Sequence, residues 1–191
     1  MRVTGGGNEA IMRTTEIMVE GVYIADTPST FITRRVGEID IKLGGIPGDR
    51  HFGLLRKADS RQRIYPRGTM IANRRQISIV SVEECTLIAE KLGIPEVCPE
   101  WLGANVLVSG LEGFTLLPQG VRLIVPGRVG LICEGENLPC KGPGDVIEQE
   151  SGIVGTGSRF VRAAKQCRGI VCSVEQEGLL YAGDKLTVVY P

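Results

Sequence analysis

Glycine and proline punctuate this chain so densely that no apolar stretch runs far before a breaker interrupts it. The 26 glycines and 10 prolines are spread across the 191 residues rather than gathered in one tract. Glycine is entropically costly inside regular elements, and proline lacks a backbone donor. The pattern therefore predicts many short strands joined by turns. Val36–Leu43 alternates cleanly, with Ile39, Ile41 and Leu43 on one face and Glu38, Asp40 and Lys42 on the other, as a half-buried strand does. Further strands are predicted at Ile17–Ile24, Gln76–Val80, Asn105–Ser109, Val121–Val125, Val129–Glu134, Gly169–Val174 and Lys185–Tyr190. Seven or eight short strands with few helices favour a mainly β barrel or sandwich over alternating β and α units.

Two helices are expected. Ser81-Val-Glu-Glu84 has the form of a capping box, and Val82, Cys85, Ala89 and Leu92 recur at helical spacing until Gly93. The second covers Ser158–Gln166, with Phe160 and Ala164 facing inward. The length suits one core, so a single domain is expected over residues 16–191, preceded by a flexible segment over residues 1–15. Lys+Arg and Asp+Glu both total 22, a balance that points to neither nucleic acid nor membrane as a partner. Neither a secretory h-region nor an apolar run of about 20 residues is evident, so a cytoplasmic location with reduced thiols is expected.

Six cysteines are present and no CxxC spacing occurs among them. With His51 as the one histidine, a structural zinc site would have to be mostly cysteine at unusual spacings. Cys85, Cys133 and Cys172 fall among apolar neighbours and read as core residues. Cys98 lies between Val97 and Pro99 and has no such assignment. Cys140 differs. It sits in EGENLPCKGPGD, where Pro139 and Gly135, Gly142 and Gly144 predict a loop rather than a helix or central strand. A thiol on a tight loop is reachable, and Lys141 beside it suits an anion. Thiolate is the form of cysteine that attacks electrophiles, carries sulfur or binds a soft metal.

The balanced charge conceals a local excess. Arg56 to Arg75 holds seven basic residues against one Asp. Guanidinium forks suit phosphate and carboxylate, so an anionic ligand is expected there, with Arg74 and Arg75 leading directly into a strand. Single-stranded nucleic acid fits less well, because only Tyr65 is interleaved for stacking. Just upstream, Gly48-Asp49-Arg50-His51 is either an Asp-braced turn or part of a site. Asn105 stands at the mouth of a strand, where an amide caps a turn or binds a polar ligand.

Together, IPGDRHFG (46–53), NRRQISIVSVEE (73–84), LGANVLVSG (102–110), GENLPC (135–140), and RGIVCSV with GDKLTVV (168–174, 183–189) resemble the MOSC family in its stand-alone bacterial form. The family is named for the C-terminal domain of molybdenum cofactor sulfurases, and the resemblance covers about Ile17 to Val189. It implies a β-barrel, closed or partly open and mostly antiparallel. It also implies that Cys140 matches the family's functional cysteine, which is associated with sulfur transfer in the sulfurases. In relatives that reduce N-hydroxylated compounds, the matching cysteine ligates molybdenum. Asn105 matches the asparagine lining the pterin site. Cofactor-binding relatives often show an arginine two residues before it, where this chain has Gly103.

The expected cofactor is thus the molybdenum cofactor, an anionic pterin, with Cys140 as sulfur carrier or metal ligand. Asp49, Arg50, His51, Arg74, Arg75, Asn105, Lys141 and Arg168 are its candidate binding residues. The chain would serve as a sulfur transferase or as a component of a molybdenum-dependent oxidoreductase. Pyridoxal phosphate would enter only through a partner cysteine desulfurase, and a reduction would need an external electron-donor protein. The alternative is a non-catalytic anion-binding barrel.

Overall fold

The structure, a computed structural model, describes residues 13–191. In chain order its elements are β1 (Thr14–Ile24), β2 (Arg34–Val36), β3 (Glu38–Ile41), β4 (Leu55–Lys57), β5 (Met70–Ala72), β6 (Ile77–Ser81), α1 (Val82–Leu92), β7 (Val106–Ser109), β8 (Arg122–Val125), β9 (Val129–Glu136), α2 (Lys141–Ser151), α3 (Thr156–Ala163), β10 (Ile170–Gln176), β11 (Gly178–Tyr181) and β12 (Lys185–Val189). Single 3-10 turns lie at Pro99–Leu102 and Phe114–Leu116.

Seven strands close into a barrel in the order β1-β12-β8-β9-β10-β6-β7, with β7 returning to β1. Closure pairs each of these seven strands with two neighbours, and β2 extends the sheet beyond the second half of β1. All the pairings are antiparallel except β6–β7. A parallel pair needs a long crossover, and the segment containing α1 supplies it. β1 is long because it serves several neighbours. Its first half pairs with β12 and its second with β7 and β2, with a register shift between Val19 and Gly21.

The interior is filled by alternating apolar side chains, among them Ile17, Val19, Ile79, Val106, Leu123, Leu131 and Leu186. A second cluster forms outside the barrel wall, where Val80 of β6 meets Ile88 and Leu92 of α1, Ile147 of α2 and Phe160 of α3. β6 is therefore buried on both faces, at all five positions, with Ser78 and Ser81 the polar residues among them.

Ser81 caps α1 by accepting from the Glu84 N–H, and Gly93 ends the helix in the left-handed region. The capping box is only half formed. The Glu84 carboxylate turns away to accept from the Thr115 N–H and hydroxyl. The second expected helix both begins and ends earlier than predicted, running from Thr156 to Ala163 with Ala164 as its C-cap, and Phe160 and Ala164 are buried as expected.

Three expectations need correction. Val36–Leu43 is not one strand. β2 joins the edge of β1, whereas β3 pairs with β11 in a separate ribbon. Ile39 and Ile41 are buried as the alternation predicts, but a tight Lys42–Gly45 bridge turns Leu43 outward, leaving it 50% exposed. The N-terminal boundary also shifts, because Thr14 and Thr15 pair with Val189 and Val188. The remainder of the expected flexible segment, residues 1–12, lies outside the described residues. Finally, the stretch after Cys140 is helix, as described below.

Candidate functional site

Lys141-Gly-Pro-Gly-Asp145 forms the first turn of α2, with Cys140 at the N-cap in extended conformation. The predicted loop is present over residues 137–140 and includes Cys140 itself, but from Lys141 onwards the prediction fails for a local reason. Pro143 lies in the first turn, where its missing N–H costs no helical hydrogen bond. The glycines serve packing. A Cβ on Gly144 would lie 2.7 Å from the Gly157 carbonyl oxygen and 3.0 Å from the Phe160 Cβ, so α2 and α3 approach at backbone distance. Gly157 N–H donates to the Glu148 carboxylate and ties the pair further. On the other side of Cys140, buried Asn137 fixes the chain. Its N–H donates to Gly169, its amide donates to the Ser78 hydroxyl, and its carbonyl accepts from Arg75.

Cys140 is the one exposed thiol of the six, all of them free. Each of the other five thiols is pushed above the ordinary thiol value, with burial the largest cause in every case. Cys85 is raised to about 12 and Cys98 to about 11, and Cys133, Cys167 and Cys172 move the same way. Brief treatment with iodoacetamide at pH 8 is expected to add one label, at Cys140, at least about 100-fold faster than at any other cysteine. Peptide mass spectrometry checks this, and comparable labelling of Cys98 would refute it.

Cys140 opens onto a cavity of about 270 Å³ whose wall carries Arg50, His51, Arg56, Arg61, Arg75 and Arg168. Five guanidiniums converge there. Asp59 takes two of them, Arg56 and Arg61. Burial, reinforced by repulsion from Arg61 and Arg56, pushes Arg75 down to about 10. Burial likewise pushes Arg168 down to about 10, and the Cys140 sulfur is the largest influence opposing it. Arg168 donates from one nitrogen to the Leu102 carbonyl, while its buried Nε and Nη1 have no partner. A crowded, underpaired set of guanidiniums is an arrangement that an anion stabilises.

Behind this wall, Asp49 accepts from the Ala25 N–H, the Asn105 amide and the His51 N–H, and its carboxylate lies 3.1 Å from His51 Nδ1. Burial alone would raise the Asp49 carboxyl, but these bonds, led by the one from His51, outweigh it and hold the group below its ordinary value. A group depressed in the folded state contributes stability above its unfolded pKa, and that contribution is lost as pH falls through the folded value. Asp49→Asn is expected to cost about 2 kcal/mol near neutrality. The difference from the unmodified protein should shrink as pH falls below about 4. Urea unfolding at several pH values checks this, and a gap that stays constant with pH would refute it.

The remaining candidates separate clearly. Arg50, His51, Arg75, Arg168 and Cys140 share the cavity, and Asp49 and Asn105 brace it from behind. The Asn105 amide is fully engaged, accepting from Ser78 N–H and donating to Asp49 and the Tyr23 carbonyl, so it positions the site rather than facing it. Lys141 points to solvent, with Asp145 as its nearest carboxylate at 3.8 Å, so the charge beside the sulfur comes from arginine instead. Arg74 is exposed beside Glu134, on an adjoining cavity.

Gly103 has φ of 64°, and a Cβ there would lie 2.8 Å from the Phe31 carbonyl oxygen. No arginine fits at that position, but Arg168 reaches the neighbouring Leu102 from the start of β10. Arg56, Arg61, Phe31 and Asn137 also line the cavity without having been singled out from sequence. The two arginines were signalled only by the basic run, and Asn137 by the GENLPC string.

Comparison with known proteins shows the family and the fold. A family model described as the MOSC domain matches residues 48–187. YuaD of Bacillus subtilis (strain 168), provisionally described among metal-sulfur cluster biosynthesis proteins, is 54% identical over 170 residues, covering 88% of each chain. The crystal structure of a B. subtilis YuaD protein superposes with a TM-score of 0.90 at 49% identity, covering 95% of this chain and 100% of that one. YiiM from Geobacillus stearothermophilus shares the fold at 12% identity, with a TM-score of 0.63 over 91% of this chain and 75% of its own. Among the described residues, no helix is long and apolar enough to cross a membrane.

Proposed function

This chain belongs to the MOSC domain family, and from that premise we propose that it is a molybdenum-cofactor-linked sulfur-handling protein whose reactive atom is the Cys140 sulfur. One observation carries the reading: the single exposed thiol opens onto the cavity where five guanidiniums converge. A surface cysteine of no consequence would have no reason to share that wall.

As a carrier, the Cys140 thiolate attacks the outer sulfur of a donor persulfide. A new S–S bond forms at Cys140, the donor's S–S bond breaks, and the electron pair leaves with the donor as its thiolate. The proton stays on the transferred sulfur and no net oxidation occurs. Passing the sulfur to another thiolate is the same exchange in the opposite direction. The sulfur donor is a partner such as a cysteine desulfurase, which brings its own pyridoxal phosphate.

The residues present also fit the molybdenum cofactor. The guanidiniums, including the underpaired Arg168, would hold its phosphate, and the Cys140 sulfur would serve its metal. Among the described residues there is no grouping of three or more His, Cys, Asp or Glu side chains placed to hold a metal ion by itself. One protein sulfur is enough for a metal that arrives with its own ligands. Such a group, when bound, would supply two-electron chemistry, and an electron-donor protein would have to feed it.

The deciding experiment is intact mass and metal content of the protein purified anaerobically from its native host, beside Cys140→Ser. An adduct of about 32 Da, one sulfur atom, that is lost in the variant means a persulfide carrier. Molybdenum and pterin lost in the variant mean a metal-ligating thiolate. Finding neither, with an inorganic anion bound equally by both proteins, would reduce the chain to an anion-binding barrel. The variant itself should fold well. Cys140 makes no capping hydrogen bond to α2, whereas serine is a preferred N-cap worth about 0.5–1 kcal/mol.

A further inference from the structure

The cationic cavity does not end beside Cys140. A second cavity of about 430 Å³ adjoins it, and the two share Arg50, His51, Arg56, Arg61 and Arg75 as a common wall. The second cavity adds Lys57, and its one carboxylate, Asp59, is already engaged by Arg56 and Arg61. Among the described residues, the Arg50 side chain has no hydrogen-bond or ion-pair partner, and Arg168 keeps two buried nitrogens unpartnered.

Charge decides how large an anion this wall suits. Across both cavities six cationic side chains face one carboxylate, an excess of five. A phosphate monoester carries only about −1.5 to −2 near pH 7 and would leave most of that excess standing. Two linked phosphates, spread along the shared arginines, match it better. The far cavity also offers a flat apolar surface. Phe52 lines it, is 49% exposed, and has its ring supported by Gly44, where a Cβ would lie 3.1 Å from the ring edge. A supported ring beside a row of guanidiniums is the combination on which a nucleobase stacks while its phosphates are held.

We infer that the two cavities together bind a nucleoside-diphosphate group, its phosphates along the shared arginine wall and its base on Phe52. The inference deepens the reading of the Cys140 cavity as a cofactor seat and rests on it for the anion's presence there. The same chemistry belongs to a free nucleoside diphosphate and to the tail of a larger cofactor extending towards Cys140.

Calorimetric titration of the full chain at low salt with inorganic phosphate, pyrophosphate, ADP and ADP-ribose tests it. Pyrophosphate is expected to bind at least about tenfold tighter than phosphate. ADP should gain about a further tenfold from stacking. Phe52→Leu, which keeps an apolar side chain at an exposed position, should remove the gain of ADP and leave pyrophosphate unchanged. Lys57→Gln, also exposed, should weaken pyrophosphate and ADP severalfold more than phosphate.

ADP-ribose, whose terminal phosphate bears a further sugar, separates the two sources. Affinity equal to that of ADP identifies the tail of a larger ligand, and a loss identifies a free nucleotide. Equal affinities for phosphate and pyrophosphate, or ADP binding indifferent to Phe52→Leu, would overturn the inference. None of these probes needs the sulfur. A protein lacking both persulfide and molybdenum would sink the proposed function and leave these affinities as measured.

Discussion

Replacing Gly169 with alanine is expected to cost on the order of 4 kcal/mol or more, enough to unfold much of the protein at physiological temperature. Two causes add. Gly169 has φ of 86°, where a side chain is strained, by about 1–2 kcal/mol for a residue forced into the left-handed region. A Cβ there would also overlap the Ile79 carbonyl oxygen of β6, which is backbone inside a closed barrel and cannot give way cheaply. The residue is anchored on both sides besides. Its N–H donates to the Thr115 hydroxyl, and its carbonyl accepts from the Asn137 N–H. Because Arg168 precedes it, the same substitution should displace that guanidinium from the cavity. Urea unfolding with phosphate titration checks both effects. A loss below about 1 kcal/mol would mean that β6 and the start of β10 can separate without breaking the barrel.

Replacing Arg168 with methionine should move stability the other way. A guanidinium buried with two unpartnered nitrogens is an unfavourable element of the empty fold, and apolar replacement of buried charge is often neutral or stabilising by about 1–4 kcal/mol. Against this stands the loss of the bond to the Leu102 carbonyl, about 1–3 kcal/mol if that oxygen finds no other donor. The expected net result is an apo protein as stable as the parent or more so by about 1 kcal/mol. Its affinity for inorganic phosphate should fall about 100-fold, as charge-assisted bonds contribute about 1.5–3 kcal/mol each. Chemical unfolding and calorimetry report the two halves separately. Destabilisation by several kcal/mol would instead mean that Arg168 is already neutralised inside the protein, with the Cys140 sulfur as its counter-ion.

Much of the barrel is legible in the sequence because its strands alternate against a filled interior. Ile17, Val19, Ile79, Val106 and Leu186 all face inward from predicted strands. Pairing is not legible. The parallel β6–β7 contact depends on how α1 crosses over, and nothing in either strand announces it. β4 and β5 escape notice because three residues are too few to show a period, and β5 lies inside the basic run whose start β4 straddles. α2 escapes because its first turn contains two glycines and a proline, which read as a breaker until Gly157 is seen against Gly144. The site divides in the same way. Cys140, Arg50 and His51 stand out through local strings, as a resemblance to known motifs allows. Asn105 stands out too, yet its amide is used up bracing Asp49, a distinction that only packing reveals. Arg168 gains its place from the turn at Gly169, which closes on Ile79 90 residues earlier in the chain.

The backbone-close seam between α2 and α3 has a consequence for traffic at the sulfur. Cys140 opens a helix that is clamped to its neighbour at Gly144 and Gly157, so its thiol stands on a fixed post, not a swinging arm. A persulfide built there extends the post by a single S–S bond, about 2 Å. On the proposed carrier reading, delivery from one active centre to a distant one would be out of reach for this chain alone. Donor and acceptor would each have to come to the same doorway, in turn, and the arginines around it would be the docking signal that both have to satisfy.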